Sequence, residues 1–370
     1  MTSALFTPIT LRGLTLKNRI AVSPMCQYIS DNGNANDWHL MHYGSMSLGA
    51  GGLVMTEMTN IDMTGRITHK CATLANDDNV ASMKRVVDFC KKFGTAAQGI
   101  EIAHAGRKGS TQPPGAGGKP LKPEEGAWET VAPSALPFAP DWPAPRALAA
   151  SELPGLVDEF AASARRAEAA GYELIELHAG HGYLLHQFLS PLSNQRSDGY
   201  GGSLENRMRF PLEVFAAMRS AWPQDKPLGV RVSMTDWVEG GLTLDESVRF
   251  AHELKQLGCD YIDVSSGGLD PRQQPPFAPG YHVGFAERIK KEVGITTMVV
   301  GLITGARQAE EIVAGGQADM VVIGRGVLFD PRWSWHAAEE LGVDMPYAPK
   351  MFPAHPSLRP WVFPNRKKAD

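Results

Sequence analysis

The fold prediction begins with Glu173–Arg209, which read E-L-I-E-L-H-A-G-H-G-Y-L-L-H-Q-F-L-S-P-L-S-N-Q-R-S-D-G-Y-G-G-S-L-E-N-R-M-R. Its opening residues alternate in the manner of a short buried strand with a glycine close to each end. Three side chains able to donate a proton or a hydrogen bond follow where that strand ends, namely His178, His181 and Tyr183. Functional residues of a parallel barrel lie at the carboxyl ends of its strands. The stretch therefore predicts an active site, provided that the remaining chain forms a barrel.

Other interpretations of the histidine pair remain open on these residues alone. An H-x-x-H spacing also occurs for core histidines whose hydrogen bonds are satisfied. A zinc site is less favoured, because metal ligands come in threes or fours and no third Cys or His stands at a recognised spacing.

The rest of the chain does show the pattern of a barrel. Each β-rich run is followed by a segment of helical character, and this alternation predicts an α/β fold, a TIM (β/α)8 barrel. The predicted strands are Arg19–Met25, Gly52–Met58, Gly99–His104, Leu174–Ala179, Leu228–Ser233, Tyr261–Ser266, Thr296–Gly301 and Met320–Arg325. The clearest predicted helices are Asn79–Phe93, Leu153–Ala170, Leu204–Ala221, Leu244–Leu257 and Ala306–Ala314.

Three further segments flank or interrupt this pattern. Phe6–Leu16 resembles an N-terminal hairpin that turns at Arg12 and Gly13 and closes the bottom of the barrel. Residues 108–150, after the third strand, hold nine of the 27 prolines, and such a long connection predicts a lid over the site. We expect residues 1–341 to form a single barrel domain and residues 342–370 a C-terminal tail. The tail is either a strap on the barrel or an arm that reaches a neighbouring subunit with Arg359 or Trp361.

Composition narrows the class of protein. The chain has 370 residues, of which 43% are hydrophobic and 21% charged, and its net charge of −4 argues against nucleic acid or an anionic membrane as partner. Its four cysteines form no C-x-x-C pair, and no stretch of eighteen apolar residues occurs. We expect a cytoplasmic protein without a membrane segment.

Glycine-bearing loops after the last two strands indicate a phosphate site. Gly301 ends the seventh run, while Gly324 and Arg325 end the eighth, where barrels commonly bind phosphate. A guanidinium can hold such a phosphate by two hydrogen bonds. Arg231, inside the apolar fifth run, is either paired with a carboxylate such as Glu101 or placed beside a cofactor ring that becomes negative on reduction.

Several motifs together resemble the old yellow enzyme family of ene-reductases, which depend on flavin mononucleotide (FMN). The resemblance extends from about Leu5 to Leu341, and Cys26 is typical of the bacterial subgroup of that family. The motifs are S-P-M-C-Q-Y (Ser23–Tyr28), H-A-G-R-K (His104–Lys108), the run from His178 to Pro191, the run from Asn194 to Arg207, and I-G-R-G (Ile323–Gly326).

The resemblance implies roles for the residues at the strand ends. His178 and His181 match the pair that donates hydrogen bonds to a substrate carbonyl or nitro oxygen, and Tyr183 matches the proton donor to the α-carbon. Tyr28 matches a substrate contact. The residues that match flavin contacts are Ser23, Pro24, Met25, Cys26, Met58, Glu101 and Arg231, with Gly301, Gly324 and Arg325 at the phosphate.

Two of those positions depart from the family pattern. Glu101 replaces a glutamine that binds the pyrimidine edge of the flavin, and an ionised carboxylate cannot donate a hydrogen bond. Its charge opposes flavin reduction, so we expect a lowered flavin potential unless Arg231 neutralises it. Met58 stands where relatives often have a small residue, which predicts a narrower pocket.

The leading hypothesis is an ene-reductase that oxidises NADPH or NADH and reduces α,β-unsaturated carbonyl or nitro compounds. A related amine dehydrogenase or dienoyl-CoA reductase would need an iron-sulfur cluster, which four scattered cysteines cannot build. A zinc-dependent barrel hydrolase and a flavin redox sensor acting through Cys26 are the alternatives. We expect small-molecule substrates and a homo-oligomer, either a dimer or a tetramer.

Overall fold

The structure is a computed structural model that describes residues 3–49 and 51–358. In this part of the chain, eight parallel strands close into a barrel in the order β10-β11-β12-β3-β4-β5-β8-β9. The strands are β1 (Ile9–Leu11), β2 (Leu14–Leu16), β3 (Ile20–Val22), β4 (Leu53–Asn60), β5 (Ala97–Ala103), β6 (Val131–Ala132), β7 (Arg146–Ala147), β8 (Leu174–Ala179), β9 (Leu228–Ser233), β10 (Tyr261–Ser265), β11 (Thr296–Val299) and β12 (Met320–Ile323).

Helices lie between the barrel strands, which confirms the predicted TIM barrel. They are α1 (Asp37–Gly49), α2 (Asp77–Phe93), α3 (Leu153–Ala169), α4 (Leu184–Leu189), α5 (Leu204–Ala221), α6 (Leu244–Gln256), α7 (Val283–Val293), α8 (Ala306–Ala314), α9 (Arg325–Phe329) and α10 (Trp333–Glu340). Ser203 and Thr243 cap α5 and α6 by accepting a hydrogen bond from a backbone N–H of the first turn.

The barrel strands are buried on both faces, as parallel strands covered by helices must be. Every residue of β4, β8 and β9 is buried. β3 ends at Val22, three residues before the predicted end at Met25, and Pro24, which has no backbone N–H for a sheet hydrogen bond, lies in the segment left outside. The chain leaves the barrel there and forms the loop that carries Cys26 and Tyr28.

The N-terminal hairpin closes the bottom of the barrel. Its strands β1 and β2 pair antiparallel, with Leu11 opposite Leu14. Leu11 and Leu16 are buried in one apolar cluster with residues that point into the barrel from its strands, among them Met55, Tyr261 and Met298. The open mouth, where the strand ends and their loops gather, is therefore the end available for a ligand.

The insertion between β5 and α3 has some structure of its own. Its short strands β6 and β7 pair in parallel, and the rings of Phe138 and Trp142 meet edge to face with their centroids 4.8 Å apart. The role of this segment as a lid stays a prediction.

Part of the C-terminal tail packs against the barrel. The ring of Tyr347 stacks on Trp335 of α10 at 4.0 Å, and Met345 joins the same apolar cluster. Arg359 and Trp361, which the arm hypothesis needs, lie outside the described residues. Among the residues that are described, no helix is long and apolar enough to cross a membrane.

Candidate active site

His178 and His181 meet at the mouth of the barrel. His178 is the fifth residue of β8 and pairs with Arg231 of β9, whereas His181 lies in the following loop with a left-handed φ of 52°. The Gly180 N–H donates to His178 Nδ1 at 3.1 Å, so the proton of the neutral ring is on Nε2. That nitrogen lies 3.1 Å from His181 Nδ1, and His181 Nε2 lies 2.7 Å from the Ser265 hydroxyl.

Both imidazoles are neutral in the folded protein. Burial lowers the pKa of His178 and of His181 well below the usual value, and the cation of Arg231 lowers each further. A neutral imidazole donates from one nitrogen and accepts at the other, so the partners of His181 decide whether its proton is on Nδ1 or on Nε2.

Tyr183 stands beside the pair at the start of α4. Its ring meets His178 edge to face with centroids 5.1 Å apart. Burial raises the pKa of the Tyr183 phenol well above the usual value, and the neighbouring Cys26 and Tyr28 add to the effect. The phenol therefore holds its proton at neutral pH.

Two glycines permit the approach of the loops that carry these groups. Gly182 has a φ of +76°, and a Cβ there would lie 2.2 Å from the carbonyl oxygen of Gly268, in the loop after β10. A Cβ on Gly268 would in turn lie 2.6 Å from the Cα of His181. The two loops thus touch backbone to backbone, which only glycine allows at such distances.

Arg231 lies among three buried carboxyl groups. Its Nη1 is 3.5 Å from Glu101 Oε1, its Nε is 3.2 Å from Asp263 Oδ2, and its Nη2 donates to the Ser23 hydroxyl at 3.3 Å. Burial works against the charge of Arg231, but the carboxylates of Asp263 and Glu101 outweigh it and raise its pKa. The partner suggested from sequence, Glu101, is therefore present, and Asp263 is a second partner.

One guanidinium cannot neutralise three carboxylates. Burial raises the pKa of Glu101 to about 7, although Arg231 opposes the shift. Burial and the nearby Asp263 raise the pKa of Glu176 well above the usual value. Glu101 Oε1 also lies 3.7 Å from His178 Nε2, so a negative charge on Glu101 acts directly on the imidazole that faces the mouth.

Cys26 and Tyr28 form another wall of the site. Both pack with Tyr183 against an apolar cluster that contains Met58 and Cys71. Burial raises the pKa of the Cys26 thiol well above the usual value, with Cys71 adding to the shift. The thiolate needed for redox sensing is therefore disfavoured.

The loops predicted to bind a phosphate lie next to this wall. Gly301 follows β11 and has a φ of +134°. Gly324 follows β12, and a Cβ built on it would lie 3.7 Å from the Met25 sulfur and 3.7 Å from Ser23 Cβ. Arg325 is exposed beside Gly324. The predicted phosphate residues thus lie at the same mouth as Ser23 and Arg231.

These residues fit FMN. The buried guanidinium of Arg231, which pairs with Asp263 and lies near Glu101, places a cation at the mouth of the barrel. A Cβ built on Gly305, in the loop after β11, would meet nothing within 4 Å, so this loop borders open space. The Arg231 cation suits the acceptor oxygens of a flavin ring, and the glycine-bearing loops with Arg325 suit the phosphate of the same cofactor.

Known proteins resemble this chain over nearly its whole length. Residues 4–343 match the model of the NADH:flavin oxidoreductase / NADH oxidase family. An NADPH dehydrogenase of Geobacillus thermodenitrificans is 44% identical over 93% of this chain and 96% of its own. The structure of morphinone reductase superposes with a TM-score of 0.76 and 27% identity, covering 95% of this chain and 93% of that one. A 2-naphthoyl-CoA reductase complex gives a TM-score of 0.82 and 25% identity over 93% of this chain, which spans 53% of that longer protein.

The barrel and the groups at its mouth define a flavin-dependent oxidoreductase. The chain belongs to the NADH:flavin oxidoreductase / NADH oxidase family, the family that includes the old yellow enzymes, and FMN is its cofactor.

The structure also brings residues to the site that the sequence analysis did not single out. Glu57 accepts a hydrogen bond from the Gln27 N–H at 2.9 Å and so supports the loop between Cys26 and Tyr28. Buried His39 lies 3.2 Å from the same carboxylate. Asp263 and Glu57 each stand inside an apolar run, and this signal, which drew attention to Arg231, would have found both.

Proposed function

We propose that the protein is an ene-reductase that takes hydride from NADPH or NADH and delivers it to the β-carbon of an α,β-unsaturated carbonyl or nitro compound. Bound FMN would supply the hydride carrier. The observation that carries the proposal is the convergence of His178 Nε2 and His181 Nδ1, 3.1 Å apart, beside the phenol of Tyr183. Such a group of donors suits an oxygen whose neighbouring alkene accepts hydride.

The two imidazoles would polarise the substrate oxygen. An oxygen that enters between them receives a hydrogen bond from His178 Nε2, and a second from His181 when its proton is on Nδ1. The Ser265 hydroxyl, 2.7 Å from His181 Nε2, can donate to that nitrogen in this tautomer. One such donor is typically worth about 10²- to 10³-fold in rate.

Tyr183 would supply the proton to the α-carbon. Its raised pKa keeps the phenol protonated, so a proton is available when negative charge develops on the substrate. A well-placed general acid contributes roughly 10²- to 10⁴-fold. Tyr28 would contact the substrate, and Met58 would narrow the pocket beside it.

The remaining residues of the mouth would hold and tune the cofactor. Ser23, Pro24 and Met25 would lie along it, and Cys26 would lie against its ring. Arg231 and Glu101 would meet the pyrimidine edge, while Gly301, Gly324 and Arg325 would bind the phosphate. The family match and the common location of these groups at one barrel end support this assignment.

A single preparation tests the reaction class. The purified protein should be yellow, lose its colour anaerobically with NADPH and regain it on addition of 2-cyclohexenone. Zinc in place of flavin would favour the hydrolase, for which the described residues offer no group of three or more possible ligands. Flavin that no enone reoxidises would favour the redox sensor.

The histidine assignment has its own test. His178→Ala should weaken the binding of a phenol or enone by about 10²-fold, because one of two oxygen donors is lost, while FMN stays bound. Titration of the flavin absorbance with a phenol measures the dissociation constant. Loss of FMN from the variant would mean that His178 holds the cofactor instead.

We also propose a homo-oligomer in the cytoplasm. Light scattering on the full chain gives the number of subunits. A variant truncated after Pro353 that keeps both its oligomeric state and its substrate affinity would exclude the arm hypothesis for the tail.

A further inference from the structure

Lys108 joins the loops that carry the proposed catalytic groups. It follows β5 at the start of the insertion, and its ammonium donates to the carbonyl of His181 at 2.9 Å and to that of Gly268 at 2.8 Å. These carbonyls belong to the loops that touch through Gly182 and Gly268. One side chain therefore ties the β5, β8 and β10 loops together at their closest approach.

The same ammonium lies between two aromatic rings. It is 5.2 Å from the ring centroid of Tyr183 and 4.9 Å from that of Phe138, which belongs to the insertion. Both distances are within the range of a cation–π interaction, which strengthens when the cation is shielded from water. Phe138 and Tyr183 are thus linked through Lys108.

The partners of this cation are unusual for a lysine. A partly buried ammonium normally finds a carboxylate, whereas the described contacts of Lys108 are carbonyl oxygens and ring faces. A lysine that served only solubility would extend into water, whereas this ammonium lies against carbonyl oxygens and ring faces. Its placement is explained by a requirement for positive charge beside the Tyr183 ring.

We infer that Lys108 is a positioning residue for the proton-transfer step. Its ammonium holds Tyr183 and the His181 backbone in place, and it stabilises the negative charge that Tyr183 acquires on giving up its proton. The inference rests on the proposed role of Tyr183. Because Lys108 also contacts Phe138, the inference includes the insertion among the elements that position Tyr183.

The charge of Lys108 acts on the histidines as well. Its cation contributes to the lowered pKa of both His178 and His181, and so helps to keep the imidazoles neutral. The charged and titratable groups that face it are Arg107 on its own loop, His178 in β8, His181 in the loop after β8, and the Tyr183 phenol. None of them is an anion at neutral pH.

The surroundings of Lys108 predict that the rate of proton transfer depends on pH. Burial lowers the pKa of Lys108 to about 8, and the adjacent Arg107 adds to the shift. The ammonium is therefore charged below about pH 8 and neutral above it, so proton transfer should slow as the pH rises through 8. The pKa of Tyr183 is raised, so the phenol itself does not lose its proton in this range.

Stopped-flow kinetics of the FMN-loaded Lys108→Met variant tests the inference. Methionine keeps a stem of similar length but removes the charge. Reoxidation of the reduced flavin by 2-cyclohexenone should slow by about 10- to 30-fold at pH 7, the scale of a desolvated cation–π contact, and its decline above pH 8 should vanish. Reduction by NADPH should keep its rate. Lys119→Met, a change of an exposed lysine in the same insertion, should leave both half-reactions unchanged.

Other results would overturn the inference. Unchanged reoxidation in Lys108→Met, or a decline above pH 8 that persists, would show that the charge has no part in proton transfer. Equal losses in both half-reactions, or loss of FMN, would assign Lys108 a purely structural role. Tyr183→Phe is measured alongside: wild-type reoxidation in that variant would refute the proposed role of Tyr183 itself, a separate failure.

Discussion

At the scale of single residues, Glu101 is the proposed flavin contact whose carboxyl group departs from the family pattern. Its carboxyl group is 2% exposed and lies 3.5 Å from the guanidinium of Arg231 and 3.7 Å from His178 Nε2. Arg231 is shared with Asp263, so it neutralises Glu101 only in part. Protonation is the other way to remove the charge, and burial favours it.

Glu101→Gln should therefore raise the flavin potential by an amount that depends on pH. With a pKa raised to about 7, Glu101 is protonated and neutral at pH 6, where the variant and the wild type should have similar potentials. At pH 9 the wild-type carboxylate is charged and opposes flavin reduction, so the variant should have the higher potential. Redox titration at the two pH values measures the difference.

A potential that does not move at either pH would place Glu101 away from the flavin. A difference of equal size at both would mean that Arg231 holds the carboxylate ionised throughout. Glu152→Gln, a change of the carboxylate that pairs with Arg146 just after the insertion, serves as the control.

At the scale of elements, the site depends on the contact between the β8 and β10 loops. Strand β8 ends at Ala179, and α4 begins at Leu184, so only four residues turn the chain. His181 and Gly182 both have positive φ in this turn. The turn is held by packing against Gly268 rather than by the local preference of its residues.

Gly182→Ala should separate these loops. A left-handed alanine costs roughly 1–2 kcal/mol, and relieving the contact between its Cβ and the Gly268 oxygen costs typically 1–3 kcal/mol more. Gly240→Ala is the matched control, because its φ of +73° is similar and its Cβ would meet nothing within 4 Å. Thermal unfolding and the rate of enone reduction should both fall further in Gly182→Ala. Equal effects of the two changes would mean that the loops yield without cost.

At the scale of the whole molecule, the two ends of the barrel have separate tasks. The bottom is closed by the β1–β2 hairpin, whose Leu11 and Leu16 are buried against the strands. The mouth holds the histidines, Tyr183 and Arg231. Stability and chemistry are therefore expected to respond to different substitutions.

Leu16→Ala should lower stability without changing the chemistry. Leu16 is 1% exposed, so its truncation leaves a cavity and should cost about 2–5 kcal/mol of unfolding free energy. Flavin content, flavin potential and the reoxidation rate should stay at their wild-type values below the new melting temperature. Leu257→Ala, at a position that is 39% exposed, should change stability by no more than about 0.5 kcal/mol. A shift of flavin potential in Leu16→Ala would show that the two ends are coupled.

The predictable part of the protein is the part that local sequence encodes. The periodicity of apolar residues locates every barrel strand, because the apolar residues of each short run themselves indicate its burial. The predicted bounds of α5 and α8 agree with the observed ones. The same argument locates His178, His181 and Tyr183 at a strand end. Motifs with the spacing of the old yellow enzymes add the cofactor, since glycine turns and phosphate contacts require fixed residues at fixed positions.

The sequence by itself predicted the barrel and placed His178, His181 and Tyr183 at the end of one strand, and its resemblance to a known family added the flavin. Only the tertiary structure decided how those groups are paired. Arg231 and Glu101 are 130 residues apart, and Lys108 reaches Gly268 across 160. Such pairs depend on the stagger of neighbouring strands and on loops packed backbone to backbone. These are properties of the closed barrel as a whole, which no local preference of the chain expresses.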